Sequence, residues 1–363
     1  MPRPLILAFL LAVSACSAIP RSTTRSAIAL PWRGVESVPL EGETVPQDDS
    51  RGVSSPASRS RRFEIESAAL TRAFGRPRTV GAEVVLPVGF RPDAELSIAY
   101  HVPDLGEDPA RLAEHLAGLE VNEGLVVVVL DPRGIHGHHL FTDSVNEGPH
   151  GEALVTDLIP VLEQHLFAGG SPRRRCVVGV GLGGWTAIHL QVDYPHAFDA
   201  AFAVDPDPVD LRHFYGADLS SSESGVPKSS PSRRLRILHD EELAGRLASF
   251  ESALGARGDD GLPLTLFSDG RGNVDAAVVA RFARRDPATI LRERGKGLAP
   301  RLGGKIYAAA GSGDGLGRDL ALRSFGQELE SVGIRSSIRT PQFLDVDQSI
   351  IGAWAAMLSA PRP

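Results

Sequence analysis

The chain has 363 residues, of which 42% are hydrophobic and 23% are charged, and its formal net charge at pH 7 is −7. The acidic balance argues against a surface for nucleic acid, and no apolar run beyond the amino terminus reaches the length of a membrane span. The hydrophobic fraction is sufficient for one large domain with a single core.

The amino terminus has the pattern of a secretion signal. A positive start, Met1–Arg3, precedes an apolar run, Leu5–Val13, that is too short to cross a bilayer as a helix. The run ends in Val13-Ser-Ala-Cys16, which resembles the lipobox of bacterial lipoproteins, where a signal peptidase cuts before the cysteine and the thiol is acylated. We therefore expect residues 1–15 to be removed and Cys16 to anchor the protein to a membrane of the bacterial cell envelope, at the outer membrane or the periplasmic face.

The next segment, residues 16–62, is rich in serine, arginine, proline and threonine and shows little apolar periodicity. Such a segment cannot bury enough apolar surface to offset its ordering entropy, so it predicts a disordered tether before a folded domain at 63–360. The second cysteine, Cys176, has no partner for an intramolecular disulfide once Cys16 is acylated. Core packing must therefore stabilise the domain.

Short apolar runs alternate with helical patterns from Phe63 onward, which predicts an α/β fold with a mostly parallel central sheet and helices on both faces. Leu125–Leu130 is apolar without alternation, as in a strand buried on both sides. The predicted strands are Ala82–Pro87, Leu96–Val102, Leu125–Leu130, Cys176–Val180, Ala200–Val204, Lys305–Ala310 and Ser336–Arg339. The predicted helices are Pro109–Leu119, Gly151–Leu166, Gly183–Tyr194, Leu320–Val332 and Gln348–Leu358.

One long segment, residues 210–292, interrupts the alternation. It contains a serine-rich stretch, a charged helical piece and turns rich in glycine and aspartate. We interpret it as an insertion at one edge of the sheet. Two interpretations stay open, because long insertions form functional lids over a site in some domains and variable surface excursions in others.

A glycine-rich turn follows the predicted strand Cys176–Val180. Its frame is Gly179-Val-Gly181-Leu-Gly183, between a buried strand and a helix. Strand, sharp turn and helix form the nucleophile elbow of α/β-hydrolases, whose pattern G-x-S-x-G places a serine at the centre. Here Gly181 occupies the position of that serine.

The segments around this turn resemble esterases of the esterase D and feruloyl-esterase type, over about Ala82 to Leu358. The resemblance implies an α/β-hydrolase fold with an insertion at the edge of the sheet. In hydrolases, such insertions tend to form a cap above the site. The segments that carry the resemblance are Phe141–Gly151, Gly183–Ala187, Pro206–Asp210, Leu298–Ile306 and Gly311–Asp314.

The same resemblance assigns positions to the catalytic groups. The triad acid falls on Asp314, and the histidine of the loop after the last strand is replaced, with Gln348 at or near its place. No histidine follows residue 239. The backbone N–H groups of Leu182 and Leu105 take the oxyanion-hole positions, although the charge of Asp104 would oppose an oxyanion there.

Acyl transfer in this fold needs a hydroxyl nucleophile, an imidazole that shuttles its proton and a carboxylate that orients the imidazole. Glycine supplies no nucleophile and glutamine shuttles no proton near neutral pH. Loss of the serine or the histidine alone removes about 10⁶ of the rate. We therefore interpret the chain as a degenerate esterase without a cofactor, which binds a carbohydrate, an acyl-bearing ligand or an envelope protein through the inherited cleft.

Two alternatives remain at the level of sequence. Gly179-x-Gly181-x-x-Gly184 matches the dinucleotide-binding fingerprint, but it stands in mid-domain instead of opening the first βαβ unit. A hydrolase that uses Zn²⁺ could employ His136, His138 and His139, because closely spaced imidazoles bind that metal and can activate water without a serine.

Overall fold

The computed structural model describes residues 60–119, 124–167, 169–220, 240–267, 273–312 and 315–359. The predicted signal peptide, Cys16, Asp314 and part of the predicted insertion lie outside the described residues. Within these ranges, no helix is long and apolar enough to cross a membrane.

An eight-stranded sheet forms the centre of the domain. Its spatial order is β1-β2-β4-β3-β5-β6-β7-β8, with β2 antiparallel to both neighbours and the other pairs parallel. The strands are β1 (Ser60–Glu66), β2 (Thr79–Val85), β3 (Ser97–Val102), β4 (Leu125–Leu130), β5 (Arg175–Val180), β6 (Ala200–Val204), β7 (Ile306–Ala309) and β8 (Ser336–Arg339).

The first strand begins at Ser60, inside the segment predicted as tether. Its sequence alternates charged residues with Phe63 and Ile65, and these two side chains are buried against the sheet while their neighbours face solvent. This period-2 pattern is that of a strand with one covered face. The folded domain therefore starts three residues before its predicted boundary.

Helices cover both faces of the sheet, as predicted. On one face, Leu116 of α2 and Trp354 of α9 belong to the same buried cluster as Val127 of β4. On the other face, Leu162 of α3 and Leu190 of α4 pack with the opposite side of the strands. The helices are α1 (Ala68–Phe74), α2 (Pro109–Gly118), α3 (Ile159–Leu166), α4 (Leu182–Asp193), α5 (Glu241–Leu254), α6 (Ala276–Ala283), α7 (Pro287–Leu302), α8 (Arg318–Ser331) and α9 (Val346–Ser359).

The described part of the predicted insertion is continuous with the core. The ring of Phe250 on α5 lies 5.5 Å from the indole of Trp185 and 5.4 Å from the ring of Phe214, in edge-to-face geometry. The predicted end at residue 292 falls inside α7, which begins where the side chain of Asp286 accepts a hydrogen bond from the backbone N–H of Thr289. Helix α5 therefore packs on the core through Phe250.

We predict that Phe250→Ala lowers the free energy of unfolding by about 3–5 kcal/mol, because the ring is 1% exposed in this aromatic cluster. The matched control is Phe343→Ala, whose ring is 81% exposed and whose loss should change stability by less than about 0.5 kcal/mol. Urea unfolding of the two variants measures the difference. Equal small effects would show that the insertion is not part of the cooperative core.

Candidate functional site

The elbow predicted from sequence is present. Strand β5 ends at Val180, Gly181 adopts φ 54° and ψ −120°, and α4 begins at Leu182. A positive φ strains a residue that carries a Cβ by about 1–3 kcal/mol, and glycine avoids this cost. A Cβ on Gly183 would overlap the carbonyl oxygen of Val102 on β3, so the flanking glycine permits the close approach of helix and strand.

The space of the missing serine side chain is occupied by another part of the chain. A Cβ placed on Gly181 would overlap the carboxyl carbon and both oxygens of Asp104, in the loop after β3. Gly181 is therefore required by its surroundings as well as by its backbone conformation.

Both predicted oxyanion-hole groups point at one atom. The backbone N–H of Leu182 donates to Oδ1 of Asp104 at 2.9 Å, and the backbone N–H of Leu105 donates to the same oxygen at 2.7 Å. Two N–H donors that converge on one oxygen are the geometry that stabilises an acyl oxyanion. The carboxylate of Asp104 occupies the position between these two donors.

The charge of Asp104 is compensated by Arg246 on α5. The guanidinium donates to Oδ1 at 2.9 Å and to Oδ2 at 2.7 Å, in the two-pronged geometry that arginine and carboxylate prefer. Arg246 also donates to the carboxylate of Asp207, which is fully buried. Burial raises the pKa of Asp207 to about 6, against the opposing charge of Arg246.

These contacts place α5 directly over the elbow. A Cβ on Gly245, the neighbour of Arg246, would lie 3.0 Å from a methyl carbon of Leu105, so the helix backbone packs closely on the loop after β3. The described part of the insertion therefore contacts the loop after β3 through α5. Sequence patterns gave no signal for Arg246 or for the burial of Asp207, because their roles depend on contacts between distant segments.

The positions of the triad acid and base give no catalytic pair among the described residues. The acid position, Asp314, lies outside them. The loop between β8 and α9 comprises residues 340–345 and contains no histidine. Gln348 lies in the first turn of α9 instead of this loop, and its side chain is exposed.

The loop after β4 carries His136, His138 and His139 and is here called the histidine loop. It is held by hydrogen bonds between its side chains and the backbone. Both ring nitrogens of His138 are used, since Nδ1 accepts from the N–H of Leu140 at 3.0 Å and Nε2 lies 3.1 Å from the carbonyl of Pro103. His139 is bonded in the same way, to Phe141 at 3.1 Å and to Asp131 at 3.2 Å. Burial lowers the pKa of His138 to about 4 and that of His139 well below its usual value.

This arrangement does not suit a metal. A histidine ligand needs a free nitrogen lone pair, and the acceptor nitrogen of each buried ring already receives a backbone N–H. His136 is half-buried in the same loop, with its backbone N–H bonded to Glu147. Within the described ranges, no group of three or more histidine, cysteine or acidic residues has the spacing of a metal site.

Cys176 and Trp185 are both buried, and core packing is sufficient to explain their presence. Cys176 is buried at the beginning of β5, at the end of the strand opposite the elbow, and burial raises its pKa. Trp185, one turn after Gly181, is 1% exposed and stacks on the ring of His189 at 4.9 Å. Neither side chain replaces the missing nucleophile.

Comparison with known proteins identifies the fold. No family model and no curated protein sequence matches the chain. Among solved structures, it is similar to an S-formylglutathione hydrolase from Agrobacterium tumefaciens, at 14% identity over 82% of this chain and 91% of that chain, with a TM-score of 0.50. It is also similar to a ferulic acid esterase, at 12% identity over 82% of this chain and 96% of that chain, with a TM-score of 0.50.

The chain therefore has an α/β-hydrolase fold, and its structural neighbours are esterases. Within that class it has glycine at the centre of the elbow and a carboxylate of its own between the two oxyanion-hole donors. The dinucleotide interpretation of the glycine pattern is not supported, because the turn joins the fifth strand of the sheet to its helix instead of opening the first βαβ unit.

We predict that Gly181→Ala and Asp104→Ala are strongly coupled. Gly181→Ala should lower the free energy of unfolding by about 1–3 kcal/mol more in the parent chain than in an Asp104→Ala background, because only the parent has the overlapping carboxylate. The matched control is Gly89→Ala, where φ is +68° and nothing lies within 4 Å of the added Cβ. Urea unfolding of the four-member cycle gives the coupling, and additive effects would contradict the overlap.

Proposed function

We propose that this protein is a non-hydrolytic protein of esterase-like fold and that its domain acts by binding. The observation that supports the proposal is the position of Asp104, whose carboxylate accepts both oxyanion-hole N–H groups and excludes a side chain at position 181. A substrate carbonyl would have to displace a charged group that is bonded to two backbone donors and to Arg246.

This occupancy changes the expected place of a ligand. An acyl-bearing ligand cannot put its carbonyl at the elbow while Asp104 is there. Breaking the pair with Arg246 would leave a half-buried charge without compensation, at a cost of about 3–5 kcal/mol. Any carbohydrate, acyl-bearing ligand or envelope protein that the domain binds must therefore contact another part of the surface.

The alternative is a hydrolase that uses a metal in the histidine loop. That function would require His138 or His139 to release a backbone hydrogen bond and to present a nitrogen to the metal. Both rings are buried, so the released backbone group would lose its partner without access to water. The non-hydrolytic function is favoured for this reason.

The proposal predicts no ester hydrolysis above the uncatalysed rate. The measurement is release of p-nitrophenol from p-nitrophenyl acetate and of ferulate from methyl ferulate by the purified full-length chain, with and without a chelator. Robust turnover would overturn the proposal, and loss of that turnover with the chelator would assign the chemistry to the histidine loop.

A second part of the same experiment tests the reason for the inactivity. Asp104→Ala frees the N–H groups of Leu182 and Leu105 together with Arg246, so added acetate should stabilise this variant against unfolding. Acetate should not stabilise the parent chain, in which the position is filled. Equal responses of the two chains would show that Asp104 does not occupy the anion position.

We also propose that the domain is anchored to the cell envelope through lipid at Cys16, which the signal-like amino terminus supports. Cys16→Ser should move the chain from the membrane fraction to the soluble fraction of the producing bacterium and should abolish incorporation of labelled palmitate. Ser17→Ala, next to it, is the matched control and should keep both properties. Membrane association that persists in Cys16→Ser without palmitate would contradict the lipid anchor.

A further inference from the structure

A cavity of about 360 Å³ lies between α1 and the histidine loop. Small-molecule sites span about 300–1,000 Å³, so its volume is sufficient for a small ligand. The histidine loop follows β4, and the elbow follows β5. In the sheet, β3 lies between these two strands. The cavity, here called the α1 pocket, is therefore distinct from the inherited acyl site. Its apolar wall includes Leu70, Phe74 and Ile135.

The α1 pocket contains a cation without an ion-pair partner. The guanidinium of Arg78 lies 4.7 Å from the centre of the Phe74 ring, and in the described part of the chain it makes no ion pair with a carboxylate. Arg133, the other arginine of the lining, is held by both oxygens of Asp131 at 2.7 Å. Only Arg78 is thus available to pair with the charge of a ligand.

The carboxylate of Glu147, which also lines the pocket, does not pair with Arg78. Glu147 is buried, and its Oε2 accepts the backbone N–H of Ile135 at 2.6 Å. Its Oε1 accepts the N–H of His136 at 3.0 Å and the hydroxyl of Ser252. These three donors fix Glu147 as the support of the histidine loop and satisfy both of its oxygens.

His150 supplies a second polar group to the pocket. Its ring stacks on that of His139 with 3.7 Å between centroids, which fixes its orientation. Burial lowers the pKa of His150 to about 4, so the ring is neutral at pH 7. Its Nδ1 is buried and has no hydrogen-bond partner within the part of the chain that the structure describes.

We propose that the α1 pocket binds a small monocarboxylate that carries an apolar body. The carboxylate pairs with the guanidinium of Arg78, while the apolar body packs on Phe74 and Ile135. Ile135 is 55% exposed, which leaves its side chain free to cover a ligand. The fork of arginine matches a carboxylate with two parallel hydrogen bonds, and this match favours a carboxylate over a neutral amide or alcohol.

The test compares three probes of related shape with the full-length chain at pH 7. Benzoate has both a carboxylate and an apolar ring, benzamide has the ring without the charge, and acetate has the charge without the ring. Calorimetric titration measures affinity, and the methyl resonance of Ile135 locates the bound probe. Arg78→Gln is the test variant, and Arg76→Gln is the matched control because Arg76 is exposed on the same turn and does not line the pocket.

We expect benzoate to shift the Ile135 resonance and to bind at least about tenfold more tightly than benzamide or acetate, since only benzoate offers both a charge-assisted pair and an apolar ring. Arg78→Gln should weaken benzoate about tenfold or more, and Arg76→Gln should leave its affinity unchanged. Equal affinity for benzoate and benzamide, equal affinity in Arg78→Gln, or no benzoate binding at millimolar concentration would overturn the proposal. Ester hydrolysis does not enter this test, so its outcome is independent of the proposed function.

Discussion

The carboxylate of Asp104 is the interaction on which the organisation of the site depends. It receives the N–H groups of Leu182 and Leu105, and it pairs through two oxygens with Arg246. A carboxylate in this position cannot coexist with a side chain on residue 181, so it requires glycine there. The same group thus satisfies two backbone donors at the elbow and leaves no space for a side chain at position 181.

The buried charges connect α5 to the loops at the elbow. Arg246 is one cation between two carboxylates, and the fully buried Asp207 has a pKa raised to about 6 by burial. A half-buried charge of this kind needs partners from more than one segment, which ties α5 to the loops after β3 and β6. The aromatic contacts of Phe250 with Trp185 and Phe214 add apolar packing to this connection. Helix α5 is therefore part of the core.

The elements that sequence patterns predicted best are those that local rules decide. The bounds of β4 and β6 were predicted as observed, since strands buried in a parallel sheet are continuous apolar runs. The bounds of the edge strand β8 were also predicted, although its residues are only partly buried. Strand β1 was missed because its charged, alternating residues follow a polar segment. Helix α7 was not predicted, because Gly295, Gly297 and Pro300 obscure its helical pattern.

The sequence by itself determined the α/β class, the elbow turn and the absence of serine at Gly181, because each is written in consecutive residues. Only the tertiary structure decided which group the backbone N–H donors of Leu182 and Leu105 contact. Asp104 and Arg246 are 142 residues apart in the chain, and their pairing depends on the path of the strands and of the cap. The sequence also did not reveal whether Arg78 forms an ion pair, or that the rings of His138 and His139 accept backbone N–H groups. Hydrogen bonds and burial depend on contacts between segments that are distant in the chain, and local sequence patterns do not specify those contacts.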